Sequence, residues 1–113
     1  MHEGSVGHNL LHAVLRLASE RGAKRVTAVR ARVGGLHPAD PESVRYHFQR
    51  DARGTFAEGA VLDIEPVPPS ARCLGCEARL DYKTAASGRC PHCGSSELEA
   101  LIPPEVEVID IGV

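Results

Sequence analysis

The chain has 113 residues, 42% hydrophobic and 25% charged, a globular composition with space for one ordinary domain and a small appended module but not for two full-sized domains. Formal charge is −2, with nine Lys/Arg against five Asp/Glu in residues 1–53 and four against ten in residues 54–113, a polarity that suits an oriented protein partner and disfavours a nucleic acid. No apolar run nears the ~20 residues of a membrane span and the opening MHEGSVGHNLL lacks the pattern of a secretory leader, so no membrane partner and a cytoplasmic location are expected.

Val6, Leu10, Val14 and Leu17 recur at helical spacing, with Leu11, Leu15 and Ala18 widening the stripe; this predicts a first helix over Val6 to Arg21, N-capped by Ser5 and stopped at Gly22. Val29, Ala31 and Val33 alternate with Arg30 and Arg32, the period of a half-buried strand ending at Gly34 and Gly35. Val26 and Ala28 fall on the other parity, marking a strand start or a bulge. Asp40, Pro41 and Glu42 combine a capping side chain, a proline at the first helical position and an acid near the positive dipole end. They predict a second helix from Pro41 to about Arg53, with Val44 and Phe48 buried and His47 at the edge of the core. Leu62 and Ile64, alternating with Asp63 and Glu65, predict a second strand, and Glu105 to Val113 a third.

Between those last two strands, all four cysteines fall in a segment bracketed by Pro66, Pro68 and Pro69 on one side and Pro103 and Pro104 on the other. Prolines stiffen the chain and cannot continue a ladder, so they read as two struts. The expected organisation is an α+β domain of residues 1–69 and 103–113, two helices on a small three-stranded sheet, with a four-Cys zinc-ribbon-like module inserted at residues 70–102.

Cys73, Cys76, Cys90 and Cys93 follow the pattern C-x2-C-x13-C-x2-C. Two such knuckles can close a tetrahedron of thiolates around one ion with no open position, the form of a structural zinc site. A disulfide pair is disfavoured by a reducing setting and a redox dithiol by the presence of two knuckles; thiolates alone leave zinc and a rubredoxin-like iron both open. A segment of about thirty residues cannot hold itself by apolar burial, so the ion must supply most of its folding free energy.

At the amino end, a free α-amine, the first amides and the imidazole of His2 would form a compact nitrogen-rich chelate, the donor set that d⁸ Ni(II) and Cu(II) favour; by itself Met-His also reads as a frayed terminus. His8 and His12, four apart on the first helix, read as surface histidines more readily than as a cation site, because no carboxylate or Cys joins them at helical spacing. His92 is expected to point to solvent, and His37 carries no signal.

Met1-His2-Glu3, the segment Gly22 to Thr27, the strand ending in Val33-Gly34, and Cys90 to Ser95 followed by Glu97-Leu-Glu99 together resemble the HypA/HybF family of hydrogenase nickel-insertion proteins, in order over nearly the whole chain. The resemblance implies a small metallochaperone that binds Ni(II) as transferable cargo through Met1, His2 and its adjoining backbone nitrogens, with Glu3 assisting, and structural Zn(II) at Cys73, Cys76, Cys90 and Cys93. It implies as partners a HypB-type GTPase and the [NiFe]-hydrogenase large subunit precursor, and, for some members, urease maturation proteins. Gly4 stands where the family usually has a larger apolar residue, and Gly35 where it often has an acid.

The chain shows no nucleophile–base constellation and no phosphate-binding Gly-rich loop, in keeping with a carrier and not an enzyme. Two other classes compete. A nucleic-acid-binding zinc ribbon would need a basic ribbon, yet Arg72, Arg79, Lys83 and Arg89 are balanced by Glu77, Asp81, Glu97 and Glu99. A rubredoxin-like electron carrier would be red with iron.

Overall fold

The computed structural model describes residues 2–113, with His2 in its backbone alone. In chain order the elements are α1 (His2–Glu20), β1 (Ala28–Val33), α2 (Pro41–Asp51), β2 (Val61–Pro66), β3 (Ser70–Cys73), β4 (Arg79–Asp81), α3 (Tyr82–Ala85), β5 (Leu98–Leu101) and β6 (Val106–Gly112). The arrangement is α+β, with two helices over a three-stranded sheet and a second small sheet around the cysteines.

α1 buries Val6, Leu10, Leu11, Val14 and Ala18, the face its apolar spacing marks out. It ends with the Ala23 amide bonded to the Ala18 carbonyl at 2.9 Å, one residue beyond Gly22 in the left-handed region at φ 69°. Its start differs from expectation: helix extends past Ser5 to His2. Glu3 in the first turn complements the helix dipole, and the turn is packed against α2, so tertiary contact extends the helix beyond the local capping signal. α2 begins as read, with the Asp40 carboxylate accepting from the Ser43 amide at 3.1 Å, and buries Val44 and Phe48.

The larger sheet has the order β2-β1-β6, with β1 parallel to β2 and antiparallel to β6. Val29, Ala31 and Val33 of β1 join Leu62, Ile64 and Ile111 under the helices. The opposite parity carries charge, and the register sets Arg30 beside Asp63 (3.7 Å) and Arg32 between Glu65 (3.2 Å) and Glu107 (3.9 Å). The parity shift read at Val26 and Ala28 is the strand start: β1 begins at Ala28, with Val26 buried in the segment before it. Against β6 the register slips between Arg30 and Ala31, opposite Asp110 and Val108. Ile109 is the extra residue, a bulge that breaks the alternation of β6 and leaves Ile109 38% exposed.

The second sheet, β4-β3-β5, is antiparallel throughout. Its core is slight: Ala71, Cys73, Leu80 and Cys90 are buried. The molecule measures 54 × 28 × 16 Å, with a radius of gyration of 17.5 Å against the ~13 Å of a compact chain of this length, because this sheet projects from the other.

Candidate metal centre

Cys73 closes β3 and Cys76 follows in the turn toward β4, while Cys90 and Cys93 lie between α3 and β5. Each knuckle makes the same turn. The Cys73 carbonyl accepts from the Glu77 amide and the Cys90 carbonyl from the Gly94 amide, both at 2.8 Å. The residue after each second cysteine is left-handed, Glu77 at φ 64° and Gly94 at φ 76°; glycine adopts this freely, whereas a side chain resists it. Backbone amides point at the sulfurs: Gly75 and Cys76 donate to Cys73 Sγ at 3.3 and 3.5 Å, and His92 donates to Cys90 Sγ at 3.4 Å. Leu74 N to Glu97 O (2.9 Å) ties the first knuckle to the approach to β5.

The four sulfurs lie within 4.8 Å of one another, with Cys73 to Cys93 at 3.5 Å and Cys76 to Cys90 at 3.7 Å. A tetrahedral ion with metal–sulfur bonds of ~2.3 Å sets its sulfurs ~3.8 Å apart, whereas a disulfide requires ~2.05 Å. All four are free cysteines. The thiols also divide electrostatically. The Cys76 amide, helped by that of Gly75 and opposed by desolvation, lowers Cys73 to about 6. At Cys93 the Ser95 amide favours the thiolate, yet the Cys73 sulfur, desolvation and the remaining two sulfurs outweigh it and push the thiol up to about 12. Cys76 is raised as well, its Ala78 amide outweighed by desolvation and the neighbouring Cys90 sulfur. Four converging thiols cannot all ionise without a cation between them; a bound ion such as zinc would displace those protons.

Of the other residues singled out from sequence, Met1 and the side chain of His2 lie outside the described residues. Glu3 stands in the first turn of α1, half-buried. His8 and His12 are exposed, their rings 4.3 Å apart and tilted by 53°. Among the described residues, the four cysteines are the one group of three or more metal-ligating side chains whose donor atoms converge. His37 and His92 are exposed.

His47 is half-buried and lies against α1, a contact that sequence reasoning missed. A Cβ on Gly4 would sit 3.8 Å from its Cε1 and Nδ1 and 4.0 Å from its Nε2. Its Nδ1 is fully buried with no hydrogen-bond partner among the described residues, a situation that costs about 1–3 kcal/mol when nothing satisfies the atom. The available signal was Gly4 and Gly7, two small residues three apart on one helix.

The HypA family model, described as hydrogenase/urease nickel incorporation metallochaperone, matches residues 1–113. The chain belongs to the HypA family. Among relatives, it is 34% identical over 113 residues to the hydrogenase maturation factor HypA of Azotobacter chroococcum mcd 1, covering all of this chain and 99% of that one. It is 35% identical to that of Chlorobium limicola, covering all of this chain and 97% of that one. The solution structure of the Ni metallochaperone HypA from Helicobacter pylori superposes with a TM-score of 0.67 at 21% identity, over 98% of this chain and 96% of that one, so the α+β arrangement with its cysteine-bearing sheet is the HypA fold.

Proposed function

We propose that this chain carries Ni(II) at the amino end of α1, through Met1, His2 and Glu3, and delivers it to a [NiFe]-hydrogenase large subunit precursor, while Cys73, Cys76, Cys90 and Cys93 hold a permanent Zn(II). The observation that carries this reading is the family match along residues 1–113, together with sulfur separations suited to a tetrahedral ion. The two sites divide the work by coordination chemistry. A closed tetrathiolate exchanges slowly and supports structure, whereas nitrogen donors with a carboxylate at a helix end are open to a partner and suit a borderline ion such as nickel. The chain acts as a carrier without turnover, in a cytoplasm that keeps thiols reduced.

Residues 1–69 and 103–113 form the nickel-handling unit in this reading, and residues 70–102 the zinc unit. Nucleotide energy comes from a HypB-type GTPase, and urease maturation proteins are further recipients. The net positive charge of residues 1–53 suits an acidic partner.

The test is metal analysis and nickel titration of the full chain with nothing added before Met1. One zinc per chain should survive dialysis, and nickel should bind with a spectrum of square-planar nitrogen coordination. His2→Ala should abolish nickel binding and leave zinc unchanged, and an N-terminal extension should weaken it greatly while a C-terminal one does not. Nickel binding that survives His2→Ala and the extension but vanishes in His8→Ala would move the site to the helical pair. Iron in place of zinc would support the electron-carrier reading instead.

A further inference from the structure

The end of the larger sheet remote from the ribbon is made where α1 turns into β1 and α2 into β2. Two backbone bonds hold these connections side by side, Val26 N to Phe56 O at 2.8 Å and Val61 N to Thr27 O at 3.0 Å. On the sheet face turned away from the helices, the charged rows of Arg30 with Asp63 and of Arg32 with Glu65 and Glu107 stop one row short of this end. The last row sets Ala28 between Val61 and Gly112, and Val61 is 70% exposed. Phe56, held to the approach to β1 by its carbonyl, is 45% exposed. Apolar side chains that face water together inside a charged rim mark a contact surface.

The rim here is cationic. Arg21, Lys24 and Arg25 stand exposed in the connection to β1, and Arg53 in the connection to β2. Among the described residues none of the four forms an ion pair, whereas Arg30, Arg32, Arg45, Arg50 and Arg72 each face a carboxylate. Unpaired cations around Phe56 and Val61 complement carboxylates set around an apolar anchor. Glu20 and Glu58 are exposed at the same end, and they would oppose the unbroken phosphate of a nucleic acid or an anionic membrane; a polypeptide can place its acids to avoid them. We infer that this end of the molecule is a docking surface for an acidic segment of a partner protein that carries an apolar side chain among its carboxylates. The surface names the partner's chemistry for the delivery reading and uses none of the proposed nickel ligands. α1 has 19 residues and so spans ~28 Å, and a partner seated at its carboxyl end leaves its amino end open.

The test titrates the full chain into a fluorescent Glu-rich peptide with spaced leucines and reads its anisotropy. The same peptide with Lys in place of Glu, a DNA duplex and phosphatidylglycerol vesicles run beside it. The acidic peptide should bind, the Lys peptide should not, and binding should weaken as salt rises. Arg25→Glu combined with Arg53→Glu should weaken it ~tenfold or more, and Phe56→Ser by ~fivefold. Arg25→Lys combined with Arg53→Lys should retain it, which separates loss of charge from loss of fold, and Arg79→Glu on the ribbon should leave it unchanged. If the Glu variants bind the acidic peptide as the native chain does, or no acidic peptide binds, the inference is overturned. If DNA or vesicles bind and the acidic peptide does not, the surface serves another class of partner and the inference is likewise overturned. His2→Ala, which tests the amino-end nickel site, should leave peptide binding intact, so that either reading can fail alone.

Discussion

The two sheets of this molecule are built at similar strand number and by opposite means. Beneath α1 and α2, a continuous cluster containing Leu10, Val14, Val33, Val44 and Phe48, each 0% exposed, runs from one end of the helices to the other. Around the second sheet, Ala71 and Leu80 are the buried side chains other than two of the cysteines themselves. One half is stabilised by removing apolar surface from water. The other has little such surface, and in the proposed reading its order comes from an ion held between the converging thiols. If so, one chain combines a half held by its apolar core with a half held by a metal.

The sharpest way to break that comparison is at the cysteines. Cys76→Ala, or stripping with a strong chelator, should unfold the ribbon, since structural zinc supplies ~10 kcal/mol or more to small zinc modules. Helical circular dichroism from α1 and α2 should persist. Loss of both together would show one cooperative unit. The converse is Phe48→Ala, expected to cost about 3–5 kcal/mol by opening a cavity between α2 and the sheet, read as a lower melting temperature with zinc content unaltered. Gly7→Ala tests how tightly the helices meet. The gain in helix propensity of about 1 kcal/mol is outweighed by overpacking of about 1–3 kcal/mol, because the backbone of α2 lies in the way; a denaturant midpoint that rises instead would contradict the close approach. Smallest is Asp40→Ala, which removes the cap of α2 and should cost about 1 kcal/mol in the same denaturation assay, again without releasing zinc.

Local signals carried most of the fold. The Asp40-Pro41-Glu42 start of α2 is legible because capping acts within one turn, and the faces of α1 and β1 because burial imposes its period directly. Spacing alone likewise named the four cysteines, since a knuckle is a local turn and two of them need only meet. What escaped depends on neighbours distant in sequence. The start of α1 at His2 in place of Val6 follows from packing on α2, and the bulge at Ile109 arises from the pairing of β6 with β1. The ribbon strands are too short and too exposed to show a period, and α3 is a single turn capped by Asp81, whose side chain accepts from Thr84 N at 2.6 Å. That amide holds the Asp81 carboxyl below its ordinary range. The seat of His47 on Gly4 joins residues more than forty positions apart, beyond the reach of any window on the sequence.

The attachment of the ribbon has a mechanical meaning. β2 ends at Pro66 and β6 begins at Val106, and both are paired with Val33 of the central strand. Two tethers therefore leave the same end of the larger sheet side by side, one on each flank of β1 and ~10 Å apart at ordinary strand spacing. The return strut is pinned at its root, where Gly34 N and Gly35 N donate to the carbonyls of Glu105 (3.0 Å) and Pro103 (2.9 Å). A module on one thread can swivel about it; a module on two parallel, proline-stiffened threads can nod along one axis but resists twisting. Any partner that grips the ribbon thus also acquires a defined bearing on the sheet, and with it on the helices, much as a double-pinned hinge keeps a door aligned with its frame.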